Sequence, residues 1–216
     1  MSTNYNDIDT MMEVLLRRTS YIVSCAYKCH KELEKNEETT ETSLVFPKYS
    51  IDEGANKKGK TRISEQELRF AFVQAFHEYK CKYHCNYLCG IEVPTKDKYL
   101  FTDEVDDKIE NGETKKKRIY KPRIASDGRS GSFDMVIYDE KLNRICLIEF
   151  KYGHPDIGSF AKDFLKLANP NEEGEKRYFI HLMKEKNNVK TSIPYDIGNI
   201  YQDIDTQKVC YRDIRI

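Results

Sequence analysis

The stretch FDMVIYDEKLNRICLIEFK, residues 133–151, decides how this chain is read. Residues 133–139 and 144–151 are rich in β-branched, aromatic and other apolar side chains, which is strand composition. The four residues between them, Glu140-Lys141-Leu142-Asn143, have the length of a hairpin loop. If Asp139 lies opposite Arg144, antiparallel pairing keeps the two residue numbers summing to 283. Asp134 then faces Glu149 on one side of the sheet, with Cβ atoms about 4.5–5.5 Å apart.

Two carboxylates that close, among Met135, Val136, Ile137, Leu147, Ile148 and Phe150, repel in a poorly hydrated setting. One must take up a proton unless a cation separates them. A hard divalent ion with oxygen ligands, Mg²⁺ or Mn²⁺ in its place, relieves the repulsion. Side chains two apart on a strand share a face, so Lys151 joins Glu149. An ammonium there can orient a metal-bound water or help deprotonate it, and can offset charge on a phosphate. The bland alternative is an ordinary ion pair at a strand end. It loses ground because all three polar groups fall on one face of a strongly apolar hairpin, where unpaired charge is costly.

Outward from the hairpin, Ser64 opens a well-marked helix. Ser64-Glu65-Gln66-Glu67 is a capping box, and Leu68, Ala71, Phe72, Ala75, Phe76 and Tyr79 form one apolar stripe. The pattern lets this helix run to Cys89, with Gly90 as C-cap. Residues 91–101 read as a strand with a turn, 102–118 as a charged, disordered-looking segment, 118–124 as a strand and 126–131 as a turn. After the hairpin, residues 156–168 read as a helix stopped by Asn169-Pro170, and 178–183 as a strand. The tail past 185 is weakly patterned, with short strands near its end. Upstream, residues 8–35 carry apolar positions at helical spacing, for one long helix or two short ones. Residues 36–62 are polar and broken except for the strand-like Ser43-Leu44-Val45-Phe46. The division is residues 1–60, an N-terminal helical extension and linker, and residues 61–216, the main domain.

With GSFDMVIYD followed by a short turn and LIEFK, the chain resembles the PD-(D/E)xK, restriction-endonuclease-like nuclease superfamily. The resemblance covers about residues 61–183 and rests on the motif and the order of elements. It implies an α/β fold with an αβββαβ core, a mixed central sheet flanked by helices, plus the N-terminal extension. It also implies Mg²⁺-dependent hydrolysis of phosphodiester bonds. Asp134 and Glu149 would be metal ligands, with the backbone carbonyl of Phe150 as a further one, and Lys151 would act on the attacking water. Phe133 replaces the proline of the first motif. The Gln-x-x-x-Tyr element of the RecB-like exonuclease branch is absent, so the resemblance does not carry that subtype.

Many such nucleases add a carboxylate from the first core helix. At 100° per residue, Glu65 lines up with Leu68, Phe72 and Phe76, whereas Glu67 points away and has a role in the capping box. Glu65 is therefore the fourth candidate, against the plain reading of a first-turn glutamate favoured by the helix dipole.

Lys115, Lys116, Lys117, Arg118, Lys121 and Arg123 put six basic residues within nine positions. They read equally as a strip that tracks phosphates or as a solvated segment balanced by its own acidic half. Arg129 could also touch a phosphate. His154, just past Lys151, reads as a loop histidine. Cys81, Cys85 and Cys89, with His77, recur every four residues, as do Cys25 and Cys29. Metal pairs usually take the Cys-x-x-Cys form, so buried free thiols are the better reading.

The whole chain sets the outer bounds. Its 216 residues suffice for one substantial core. At 39% apolar and 33% charged it is unlike a disordered chain. Lys plus Arg equal Asp plus Glu at 36 each, so a nucleic-acid surface has to come from a local cluster. The first residues lack a signal-peptide pattern, no apolar run reaches the roughly 20 residues of a membrane span, and seven cysteines suit a reducing compartment. The expectation is a cytoplasmic metal-dependent nuclease acting on nucleic acid, DNA before RNA, with no membrane partner and with room for a homodimer. The alternative from another class is a non-catalytic nucleic-acid- or protein-binding module that keeps the nuclease fold.

Overall fold

A computed structural model describes residues 7–33, 44–46, 48–49, 60–110, 113–184 and 193–216. The elements in chain order are α1 (Ile8–Leu33), β1 (Lys48–Tyr49), β2 (Lys60–Thr61), α2 (Glu65–Tyr83), β3 (Leu88–Glu110), β4 (Glu113–Ile124), β5 (Arg129–Tyr138), β6 (Arg144–Tyr152), α3 (Ile157–Ala168), β7 (Lys176–Met183), α4 (Ile193–Ile200) and β8 (Cys210–Arg215). β1 and β2 pair by themselves. The other strands form one mixed sheet of order β4-β3-β5-β6-β7-β8.

The central hairpin keeps the expected register by an unexpected route. Met135 faces Ile148, Val136 faces Leu147 and Ile137 faces Cys146, each pair summing to 283. The loop, however, is one residue longer, because Tyr138 pairs with Arg144 and the ladder slips between Ile137 and Tyr138. A bulge there offsets the extra loop residue. Asp139 organises the turn. Its carboxylate accepts from Lys141 N at 2.9 Å, Asn143 N at 2.8 Å and Asn143 Nδ2 at 2.7 Å, while Leu142 takes a φ of 63°.

Along β4-β3-β5-β6 successive strands are antiparallel, whereas β6, β7 and β8 are parallel to one another. Parallel neighbours need crossovers; α3 supplies the first, and α4 lies in the second. Two cores follow. Met135, Ile137, Ile148, Phe150 and Ile180 pack with the apolar stripes of α1 and α2. Phe133, Val136, Leu147 and Phe179 pack with α3 and α4. On α1, Met11, Met12, Leu15, Ile22, Val23 and Ala26 are fully buried in the first core. Among the described residues no helix is long and apolar enough to cross a membrane.

Three local expectations change. α2 stops at Tyr83 because His84 takes a left-handed φ of 52°, so Cys89 and Gly90 belong to β3 and not to that helix. Residues 102–110 and 113–118, read from composition as disordered, are strand: Glu104 pairs with Arg118 and Asp106 with Lys116. The acidic half lies against the basic half, and opposite charges across a ladder favour pairing. The tail carries α4 as well as its strand β8. Most of the linker at 36–62 lies outside the described residues.

Glu172 fixes the sheet beside the hairpin. It is fully buried and accepts from Lys96 N at 2.9 Å, Asp97 N at 3.1 Å and Tyr99 Oη at 2.9 Å, where β3 bulges between Pro94 and Lys98. Glu172→Ala is expected to lower the unfolding free energy by at least about 3 kcal/mol in urea titration, since it strands several buried donors. A loss within about 0.5 kcal/mol, the range of a surface change, would show that the bulge does not depend on this carboxylate.

Candidate active site

The charged groups collect at the end of the sheet where β5 begins and β6 ends. The ladder between those strands stops at Met135–Ile148, so Asp134 and Glu149 do not form the directly opposed ladder pair that the register arithmetic gives. Asp134 Oδ2 instead accepts the backbone N–H of Phe150 at 2.8 Å, and Oδ1 takes Arg69 Nη2 of α2 at 2.6 Å. Across β5, Glu92 of β3 has a φ of 53°. Its carboxylate takes Arg69 Nη1 at 2.7 Å and Ser132 Oγ at 2.8 Å. Phe133 joins the α3-side core and Met135 the α2-side core. The regular in–out alternation is therefore broken at Asp134, whose carboxylate is held by α2.

Glu149 of β6 is paired with α3. Its Oε1 receives Lys166 Nζ in a buried ion pair. Lys166 also donates to Ser132 O at 2.8 Å and lies 3.2 Å from Asp163 Oδ1. Asp163 Oδ2 is 2.7 Å from Lys151 Nζ, and Glu65 Oε1 is 3.5 Å from the same nitrogen. One continuous chain of ion pairs thus runs Glu65–Lys151–Asp163–Lys166–Glu149, and Arg69 ties Asp134 to Glu92 beside it. Glu65 lies within reach of Lys151, whereas Glu67 accepts from Ser64 N at 2.9 Å and from the Ser64 hydroxyl. Phe150 between the charged pair is fully buried and meets Phe72 edge-on at 5.4 Å. It is the Phe150 N–H that meets Asp134.

Burial drives the Glu149 carboxyl well above the usual carboxylate range; the Lys166 ammonium opposes this, and Asp163 and Asp134 add to it. Burial also pushes Asp163 up, but Lys166 and then Lys151 outweigh it and leave that carboxyl below its ordinary value. Burial pulls Lys151 down, yet Asp163, Glu65 and Glu149 more than compensate. These carboxylates therefore hold Lys151 as an ammonium. Behind it, His181 donates from Nε2 to Gly153 O at 2.5 Å and accepts at Nδ1 from Tyr211 Oη at 2.7 Å. Burial lowers its pKa to about 4, so the ring is neutral and pins the turn that follows Lys151. The His154 ring lies 5.8 Å away from it, edge-on.

Five acidic side chains meet three basic ones: Asp134, Glu149 and Asp163 pair with Arg69, Lys151 and Lys166, and the more exposed Glu65 and Glu92 share Lys151 and Arg69 at the rim. Carboxylates from five elements converge here, the donor type a hard divalent cation takes. Among the described residues no three of His, Cys, Asp and Glu already stand together as a ligand cage.

Three of the six basic residues of the strip pair with the partner strand. Asp103 Oδ1 takes Arg123 Nη1 at 2.7 Å, Asp103 Oδ2 is 3.6 Å from Lys121 Nζ, and Glu104 is 3.6 Å from Arg118. Lys117 and Arg129 are exposed; Lys115 and Lys116 lie in β4, with side chains outside the described residues. The cysteine line is broken as well. Cys81 is exposed, with its sulfur 3.7 Å from His77 Nε2, Cys85 is half-buried, and Cys89 is exposed on β3. Cys81 and Cys89 are thus surface thiols and not buried ones; the Cys29 side chain lies outside the described residues.

No protein-family model, curated protein or solved structure matches this chain.

Four members of the network, Arg69, Glu92, Asp163 and Lys166, were not drawn from the sequence. Asp163 left a signal there: on a helical projection it borders the Phe160–Phe164–Leu167 stripe of α3, a place where a charge needs a partner. Asp163→Asn removes the carboxylate shared by two buried lysines, so it is expected to cost on the order of 3–5 kcal/mol at pH 7. A depressed carboxyl pKa stabilises the fold above the unfolded value of 3.8, and that contribution fades as pH falls through the folded value. Chemical denaturation of both proteins from pH 7 downward checks this. A stability gap that stays constant below pH 3.8 would contradict the assignment of the gap to the ionised carboxylate.

Proposed function

We propose that the chain is a Mg²⁺-dependent nuclease, with Mn²⁺ as a substitute ion, acting on nucleic acid and on DNA first. The observation that carries this reading is the linked placement of Asp134, Glu149, Lys151 and Glu65 at one sheet end. These are the residues named by the resemblance to the PD-(D/E)xK superfamily. The order α2, β3, β5, β6, α3, β7, with β3–β5–β6 antiparallel and β6–β7 parallel, supports a restriction-endonuclease-like αβββαβ core, with β4 paired to the outer half of β3.

In this reading Asp134 and Glu149, with Glu65 at the rim and the Phe150 carbonyl nearby, hold the ion. Bound there, it supplies a lowered pKa for water and charge neutralisation on the phosphate. Lys151, held as an ammonium by Asp163 and Glu65, donates to the attacking water or the phosphate oxygen and offsets charge as the water oxygen bonds to phosphorus and the leaving oxygen departs. Arg129, together with Lys115, Lys116, Lys117, Arg118, Lys121 and Arg123, would contact backbone phosphates. That contribution is modest where Asp103 and Glu104 already pair with the arginines and lysine of β4.

One specific observation favours a second reading. Arg69 and Lys166 already neutralise the two carboxylates meant for the metal, as in a non-catalytic binding module that retains the fold without a bound ion.

Cleavage of plasmid and single-stranded DNA separates the two. Mg²⁺ or Mn²⁺ is expected to support cutting and EDTA to stop it, with Asp134→Ala and Lys151→Ala each lowering the rate by at least about a hundredfold. Binding that is equal with EDTA and Mg²⁺, with no cutting of either substrate, selects the binding module.

A further inference from the structure

Lys166 has the features of a fixed counter-ion and not of a stray surface lysine. Its side chain is about as buried as that of Glu149, at 6% and 3% exposure. Its ammonium meets three acceptors on three segments: Glu149 Oε1, Ser132 O at 2.8 Å and Asp163 Oδ1 at 3.2 Å. The Phe133 ring centroid lies 6.0 Å from the nitrogen. The stem runs over Gly131, where an added Cβ would stand 3.1 Å from Lys166 Cδ. Position, acceptors and clearance are all built into the fold.

The pairing says what that position does. The Glu149 carboxylate already holds a resident cation, Lys166, so a divalent ion entering there has to take the carboxylate from it. Lys166 is the one placed to yield. An ammonium has three N–H donors and no acceptor, and Ser132 O and Asp163 remain as partners when Glu149 is withdrawn. Lys151 is not on Glu149 but on Asp163 and Glu65, and Arg69 is committed to Asp134 and Glu92.

We propose that Lys166 is a built-in counter-ion of Glu149 that competes with the divalent cation for that carboxylate and so sets the metal concentration at which the site fills. This rests on the metal-dependent reading above. Two cations that share one carboxylate are coupled, and the coupling is reciprocal: removing the lysine tightens the metal, and the metal loosens the lysine.

The test is Mn²⁺ titration at fixed pH, followed by calorimetry and by the thermal midpoint, of the unsubstituted protein, Lys166→Met and Lys166→Arg, with Asp134→Asn to identify heat from this site. Lys166→Met is expected to bind Mn²⁺ on the order of tenfold more tightly, with a lower midpoint without metal and a larger rise on adding it. Lys166→Arg is expected to bind more weakly than the unsubstituted protein, because a guanidinium grips a carboxylate through two hydrogen bonds. Equal affinity of the unsubstituted and Lys166→Met proteins overturns the counter-ion and leaves the nuclease reading standing. Binding by Lys166→Met alone supports the counter-ion and overturns metal-dependent activity of the native chain. No binding by any protein overturns both. If Lys166→Met does not fold, Lys166→Arg decides: affinity equal to or tighter than that of the unsubstituted protein overturns the counter-ion.

Discussion

Charge cannot be buried singly, and the end of this sheet obeys that constraint throughout. Asp134, Glu149 and Lys151 come from two adjacent strands, with Phe133, Met135, Ile148 and Phe150 beside them in the core. Each therefore needs a partner of opposite sign, and no strand of the hairpin supplies enough of them. α2 delivers Arg69 to Asp134, and α3 delivers Lys166 to Glu149 and Asp163 to Lys151. The two helices are tied to the sheet twice, by their apolar stripes and by these ion pairs. The apolar contacts stabilise without direction, whereas the ion pairs require a particular residue at a particular turn. Phe150 joins the two systems: its ring packs on Phe72 of α2 while its N–H donates to Asp134 between the charged neighbours.

The hairpin, the order of elements around it and the helical stripe of α2 were legible because they rest on local periodicity and on residue numbers. The 283 register holds even with a loop one residue longer than the sequence pattern indicates, because a bulge beside the turn offsets the extra residue. The expectation for 102–118 failed for the opposite reason. Local composition looked disordered, and the pairing signal lay between segments, in the acidic run of β3 opposing the basic run of β4. The same fact reduces the basic strip as a phosphate-binding surface. The cysteine line rested on a helix continuing past residue 83, and the left-handed His84 ends it. Glu65 was legible from its angle on the helix. Arg69 and Lys166 were not, since nothing in a linear pattern says which distant cation will meet a buried carboxylate.

What the site can do turns on whether its internal cations are permanent. With Arg69 on Asp134 and Lys166 on Glu149, each carboxylate of the cluster has a cation beside it, and as such the cluster is a structural device that fixes α2 and α3. In the nuclease reading proposed above, the same cluster would become a catalytic centre when a divalent ion joins Asp134 and takes Glu149 from Lys166, leaving Lys151, still held by Asp163 and Glu65, to face a phosphate. Both states use the same residues. They differ in which cation holds the carboxylates, and that difference is chemical rather than architectural.

The most direct measurement is anomalous X-ray scattering from crystals of the unsubstituted protein soaked in Mn²⁺. The account predicts a peak within coordination distance of both the Asp134 and Glu149 carboxylates, with the Lys166 ammonium moved off Glu149 onto Ser132 O and Asp163. Crystals that take up no Mn²⁺ at this sheet end, with the Arg69–Asp134 and Lys166–Glu149 pairs intact at saturating metal, would contradict it.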